Sequence, residues 1–433
     1  MSMIKKNLKF KNNLYEILIS LVFFFSTLIF YKIFLIKPYY NQFIDLYDSF
    51  KLIFALILLS IFSIFYFNEN FLSNFVKKIF LIFFVLIFIP TLAIFVFVPN
   101  TYFFLFVTII SLIVIIFFAD FTNLDFFLYE NKFQLSQKLI FKILLYFNLI
   151  FFIFSLFNTN FNLMTFEVDN FSRNRNLLEH GKIRIYINSI TTTTLLPICL
   201  VFSLHLKRYF SSIVLFSLFI FYGLTLSVKI LILMPFGILI FFIFYDYKNF
   251  INLILLIITG SLLISSIEIL NSYFNGFAVP ETLFANYIGR RLFFIPSFNN
   301  FIYLLEYNSK VFSYWSQSKI TLGLVDSVYT SSIPKFVGLK YFGKSFSVNV
   351  GWIGAGYANM GVIGVMVYSI IIGLYFSILK TLSKKFSVKL ISTASFVSIM
   401  YFLSSDVLTI FFTYGTLILI FILLITKKNS VKV

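Results

Sequence analysis

Apolar runs of about twenty residues recur along the whole of this chain, each long enough to cross the hydrocarbon core of a bilayer as an α-helix. Inside a bilayer the backbone finds no water, so its amide groups must bond to one another within a helix or a closed barrel. These runs are continuous rather than alternating, which predicts an all-α polytopic membrane protein. Spans are expected at approximately 14–36, 50–67, 79–98, 101–118, 139–157, 187–204, 209–227, 230–245, 250–267, 350–379, 388–405 and 408–425, twelve in all. Composition agrees, with 60% of the 433 residues hydrophobic and a mean hydropathy of +0.98. Charged residues make up 12%, half of the roughly 25% found in soluble domains. The 66 phenylalanines accompany abundant Ile, Lys and Asn, a coding bias to which no function attaches.

Net charge is +18, but no basic domain exists that would hold nucleic acid. The charge sits at helix ends, where it orients spans beside anionic lipid. Lys5, Lys6, Lys9 and Lys11 precede the first run, Lys380, Lys384, Lys385 and Lys389 crowd one loop, and Lys427, Lys428 and Lys432 lie near the last residue. With twelve spans all three clusters share one face, which the positive-inside rule makes cytoplasmic, along with both termini. The first run is too long for a signal-peptide core and lacks a small-residue cleavage site, so it reads as an uncleaved span. Cys199, the single cysteine, lies within an apolar run and implies no disulfide framework.

Two hydrophilic stretches then fall on the exterior, 158–186 and the much longer 268–349. The second contains Leu292–Leu305 (LFFIPSFNNFIYLL), too short and polar to cross, which predicts an interfacial or re-entrant helix lying on the bundle. Only six arginines occur in the chain, and five lie in or beside these stretches: Arg173, Arg175, Arg184, Arg290 and Arg291. The planar guanidinium fork suits phosphate better than the point charge of lysine. An exterior anion site is therefore expected, with Arg290 and Arg291 at the headgroup boundary able to hold a lipid diphosphate. Their plainer role is to anchor the loop to anionic lipid or an acidic residue.

Arg173, Arg175, Lys182 and Arg184 interleave with Glu167, Asp169 and Glu179, so internal ion pairs compete with ligand binding there. His180 among them is a general-base candidate near neutral pH, or simply a surface histidine. Lys229 interrupts the apolar stretch from Tyr209 to Tyr245 and either snorkels or lines a polar site. In GWIGAGYANMG (351–361), Gly354, Ala358 and Gly361 recur at helical steps and predict a closely packed face. Tyr357 and Asn359 then lie near the exterior end, within reach of a sugar or a neighbouring helix. Tyr314, Trp315, Tyr329 and Tyr341 suit sugar faces and membrane interfaces equally. Two histidines and one cysteine form no metal-ligand spacing, and no nucleotide or nucleophile-elbow motif occurs. Glu268, Glu281, Glu306, Asp326 and Asp406 are exterior acids able to act as a base, and nothing in the sequence ranks them.

Three stretches carry a family resemblance: LSVKILILMPFGILIFFIFYDYKN, GRRLFFIPSFNNFIYLLEY and VGWIGAGYANMGVIGVMVYSIIIGL. With a dozen helices and a large late exterior loop, the chain resembles bacterial O-antigen polymerases of the Wzy type, mainly over residues 187–380. Where members of that family often carry arginine, this chain has Lys229. The resemblance implies a GT-C-like glycosyltransferase in the bacterial inner membrane, acting at the periplasmic face on undecaprenyl-diphosphate-linked oligosaccharide without a metal or other cofactor. It also implies a polysaccharide chain-length regulator as partner. Arg290, Arg291 and Lys229 would then stabilise the leaving diphosphate, and Arg173, Arg175, Arg184, His180, Tyr357 and Asn359 would bind substrate. An O-antigen ligase and a flippase for lipid-linked oligosaccharide are the competing readings. Against the flippase stand the absence of paired repeats and the uncharged middles of the helices.

Overall fold

A computed structural model describes residues 2–36, 46–67, 72–122, 124–125, 134–158, 181–226, 228–247, 250–275, 285–343 and 346–427. Among these residues the chain is helical, apart from irregular connections and one isolated bridge between Leu135 and Thr426. Eight helices are long and apolar enough to cross a membrane, which makes this a multi-pass helical membrane protein. They include Glu16–Ile33, Ser49–Tyr66, Asn74–Phe97, Tyr102–Phe121, Gln137–Phe157, Ile183–His205, Phe250–Ser272 and Trp352–Leu382. The remaining four expected spans are also apolar helices, but of 10–17 residues: Tyr209–Thr225, Ile230–Phe244, Val388–Phe402 and Thr416–Ile425.

The chain divides into two compact units. Unit 1 comprises residues 1–122, 248–376 and 402–407. It holds α1 (Ser2–Phe30), α2 (Ser49–Phe67), α3 (Asn74–Phe97) and α4 (Tyr102–Phe121). The next two helices are α5 (Gln137–Asn158) and α6, which runs Lys182–Ile190, Thr191–Leu195 and Leu196–His205 with its middle part π-helical. Helices α7 (Tyr209–Thr225) and α8 (Lys229–Phe244) complete the middle of the chain, and all four belong to unit 2. Back in unit 1 come α9 (Phe250–Asn275), α10 (Ala285–Phe294, π-helical, continued by Ile295–Tyr307), α11 (Ile333–Phe342) and most of α12 (Trp352–Leu382). Helix α13 (Val388–Phe402) lies mainly in unit 2, as does α14 (Thr416–Ile425).

Helix α3 is the axis of unit 1. Every residue from Ile79 to Phe97 is buried, which explains why its hydropathy is uniform around the helix rather than one-sided. Phenylalanine fills its surroundings: Phe62 stacks on Phe88 at 4.5 Å between centroids, and Tyr66 stacks on Phe84 at 5.2 Å. At its C-terminal end the chain turns through Asn100, whose φ is +56°, and starts α4. That end is closed by polar contacts. The Lys51 Nζ donates to the Val98 carbonyl at 2.7 Å, and Asp48 Oδ1 caps α2 by accepting from the Phe50 N–H at 2.9 Å.

In unit 2, the π-helical turn of α6 sets four threonines in a row, Thr191 to Thr194, all buried. Thr193 and Thr194 both donate to the Tyr414 carbonyl, at 2.6 and 2.7 Å. Asn148 of α5 donates to the carbonyls of Leu144 and Leu195. Gly237 of α8 lies so close to Phe396 that an added Cβ would meet the ring at 2.7 Å. Such small-residue contacts let helices approach where lipid gives no hydrophobic advantage to association.

Two expectations are corrected here. The helix at 292–305 exists, extended to 285–307, but Pro296 to Leu304 are all buried. The segment lies inside unit 1 and not on its surface. Its Ser297 donates to the Ile87 carbonyl at 3.1 Å, ten residues or about 15 Å below Phe97 along α3. Phe301 packs against Phe104 near the start of α4.

The second correction concerns the span expected at 350–379. Helix α12 breaks at Met360 (φ −154°, ψ 33°) and Gly361 (φ 59°, ψ −145°), the latter a conformation reserved for glycine. Around the break the helix folds back on itself. An added Cβ on Gly356 would meet the backbone of Gly364 at 2.8 Å. Trp352 in the first arm and Ser369 in the second both bond Ser111, through Nε1 at 2.7 Å and Oγ at 2.9 Å. The first arm therefore begins beside the middle of α4 and climbs toward the Asn100 end, where Tyr357 meets Phe103. Past the break the second arm descends, with Gly373 against Phe118 and Ile115. That arm, 362–382, is about 31 Å long, enough to cross a bilayer.

Candidate functional site

Unit 1 brings α10 and the start of α12 together in one assembly. The stretch leading into α12 runs without helix at 346–351, Val348 and Val350 buried and Ser347 and Asn349 exposed. Irregular backbone at membrane depth persists only where protein supplies its hydrogen-bond partners. Helix α10 supplies them. Asn299 Nδ2 donates to the Asn349 carbonyl at 2.7 Å and Tyr303 Oη to the Val348 carbonyl at 2.8 Å. Asn300 Oδ1 accepts from the Gly354 N–H at 3.0 Å, capping the first turn of α12. Gly351 fits where a Cβ would lie 2.7 Å from the carbonyl oxygens of Phe402 and Leu403. The polar letters of FNNFIY thus serve a neighbouring backbone.

At the break in α12 a second network closes. Ser313 Oγ and the Trp315 N–H both donate to Asn359 Oδ1, at 2.6 and 3.2 Å. Asn359 Nδ2 donates to the Ala355 carbonyl at 2.9 Å and to Tyr368 Oη at 3.3 Å. Tyr368 also receives Trp315 Nε1 at 2.8 Å and donates to Asp406 Oδ2 at 2.7 Å. Tyr314 and Trp315 adopt left-handed backbone, φ 47° and 58°, a strained arrangement that this network holds in place.

Asn359 thus has both lone-pair positions and both amide protons engaged. Its neighbour-binding role is the one the geometry displays. Tyr357 is buried too, donating to Asn308 Oδ1 at 3.3 Å with its ring edge-on to Phe312.

The arginine pair lies one helix earlier. Arg290 and Arg291 sit on the π-helical half of α10, which packs on α1: Gly289 abuts Phe30, and Phe294 stacks on Phe30 at 5.8 Å. Arg290 directs Nε and Nη2 onto Asn286 Oδ1 at 3.0 and 2.8 Å, one turn back. That bond fixes the guanidinium plane. Arg291 is exposed. Glu268, in the last third of α9, accepts from the Ala285 N–H at 2.8 Å, tying down the start of α10.

Further along the same helix, Glu306 is 2% exposed. Its Oε2 accepts from Lys340 Nζ at 2.5 Å and Tyr341 Oη at 3.0 Å. Burial, reinforced by Glu306, pushes the Tyr341 hydroxyl above the usual tyrosine range and keeps it a donor. The acids left unranked by sequence thus separate. Glu306 is buried, Asp406 is bonded to Tyr368, Glu268 holds backbone, and Asp326 is exposed.

Of the other expected site residues, Arg184 is buried on α6 in unit 2. Lys229 begins α8, with only its backbone described. Arg173, Arg175 and His180 lie outside the described residues, as does Glu281. Among the described residues no group of three His, Cys, Asp or Glu side chains is placed to hold a metal ion. Sequence reading overlooked Asn300, Ser313 and Tyr368; the adjacent asparagines inside an apolar run were the available signal. No family model, curated protein or solved structure matches the chain.

Proposed function

We propose that this protein is a membrane glycosyltransferase that polymerises undecaprenyl-diphosphate-linked oligosaccharide units at the periplasmic face of a bacterial inner membrane, with both termini cytoplasmic. The observation that carries the reading is the placement of Arg290 and Arg291. They lie on the π-helical half of a helix that continues into the buried segment, and Asn286 orients the first guanidinium. A lipid diphosphate at the headgroup boundary would meet one oriented guanidinium and a second, exposed one beside it. The donor bond is already activated. As the acceptor hydroxyl forms its bond to the anomeric carbon, the carbon–oxygen bond to phosphate breaks. The electron pair leaves on the diphosphate, and a base takes the hydroxyl proton. The arginines would stabilise the departing charge, so no metal is required of the mechanism. The twelve apolar helices, taken as twelve spans in a GT-C-like arrangement, and a chain-length regulator as partner belong to the same reading.

Replacing both arginines by alanine is expected to slow polymerisation about 100-fold or more, leaving lipopolysaccharide cores capped with a single unit. Long chains at wild-type length from a normally inserted double variant would refute the assignment.

A transporter of lipid-linked oligosaccharide is the second reading. The interrupted α12 favours it, because broken helices with a buried N-terminus recur at transporter binding sites. An O-antigen ligase shares the donor but passes chains to the lipid A core. A deletion strain separates all three. Single-unit cores indicate a polymerase, long chains retained on carrier lipid a ligase, and units trapped on the cytoplasmic face a transporter.

A further inference from the structure

We propose that Glu306 and the tyrosines around it form a saccharide-binding subsite, separate from the arginine pair, that holds a sugar of the lipid-linked glycan well away from its diphosphate. This rests on the functional reading above. The cluster is built on the second half of α10, on α11 and on the loop between them. The Glu306 side chain is 1% exposed, and Oε2 is held by Lys340 and Tyr341. Its other oxygen, Oε1, is buried with no hydrogen-bond partner among the described residues. A buried carboxylate oxygen without a donor is costly and calls for one.

What surrounds that oxygen favours a sugar hydroxyl. Tyr307 is buried and meets Tyr329 edge-on at 5.8 Å, and Tyr329 packs on Phe336 at 5.5 Å. Aromatic faces beside a carboxylate suit a pyranose, which presents C–H faces and hydroxyl donors together. The negative charge disfavours a phosphate in the same place. The Lys340 side chain is 48% exposed, so the cation paired with the carboxylate reaches water.

Separation from the arginines follows from the helix. Arg290 and Glu306 are sixteen residue steps apart along the continuous helix α10, about 24 Å of rise. Neither side chain bridges that distance, so Glu306 is not the base for a reaction at the bond that Arg290 would polarise. It is a binding residue for the glycan, and the spacing calls for an oligosaccharide rather than a single sugar.

The test uses the full-length protein in nanodiscs with two probes. One is the repeat-unit oligosaccharide released from the carrier lipid of the deletion strain, and the other is undecaprenyl diphosphate. Glu306→Gln is expected to weaken oligosaccharide binding at least 10-fold while leaving undecaprenyl diphosphate binding unchanged. The Arg290→Ala, Arg291→Ala double variant is expected to do the reverse. If Glu306→Gln binds the oligosaccharide as the wild type does, the subsite is wrong and the functional reading stands. If wild-type protein binds neither probe, both fall. Should Glu306→Gln fail to accumulate, Tyr329→Ala takes its place: oligosaccharide binding is expected to weaken while undecaprenyl diphosphate binding stays unchanged, and wild-type oligosaccharide binding by that variant overturns the subsite.

Discussion

Asn300 performs its task through one oxygen. Oδ1 caps the Gly354 N–H inside unit 1, where no water competes for it. Substituting leucine preserves shape roughly and removes the acceptor, leaving that N–H buried and unbonded. Asn300→Leu is therefore expected to lower stability by about 1–3 kcal/mol, read as earlier loss of the monodisperse species on heating in detergent. A variant as stable as wild type would show that the cap is dispensable. Residues of this kind were only half legible in the sequence. Two asparagines in an apolar run announce that a polar partner exists, but the partner is backbone some fifty positions onward, which no local pattern encodes. Glu306 was visible only as one of five acids. Its rank came from burial.

The elements divide in the same way. The length and continuity of the apolar runs located twelve of the helices, because bilayer thickness and backbone bonding constrain both, but they gave no sign of α11. They did not locate the break in α12. From Trp352 to Leu382 the composition is continuously apolar, and glycines at helical steps read as a packing face. The fold-back depends on two glycine backbones touching across eight residues and on one glycine-only conformation, neither of which changes hydropathy. The approach to α12 gives the sharper test. In a Cys199→Ser background, single cysteines at 347 and 349 are expected to react with a water-soluble thiol reagent, while those at 348 and 350 stay protected. Uniform labelling or uniform protection across the four positions would contradict the alternation of exposed and buried side chains.

For the molecule as a whole, the multi-pass character was legible from composition, and the proposed orientation rests on lysine placement alone. Alkaline phosphatase fused after Asp326 is expected to be active, and green fluorescent protein fused after the last residue is expected to fluoresce. The opposite pair of results would invert the topology and move the arginine pair to the cytoplasmic side. Charge content did not reveal that the chain gathers into two units drawn from discontinuous segments. That division arises from contacts between residues far apart in sequence. The arginines were conspicuous early because they are rare, whereas the networks that fix their helix are made of common residues.

Gly351 fits only because the carbonyls of Phe402 and Leu403 lie against it, leaving no room for a side chain. This has a bearing on biogenesis. The half-helix before the break is too short to be handed to the bilayer as a span during synthesis, and its floor is supplied by a segment made some fifty residues later. The region must wait, still unsealed, until the ribosome has passed Leu403. Chains that stop short of that point would carry the whole arginine-bearing helix yet lack the support that keeps its neighbour inside the protein.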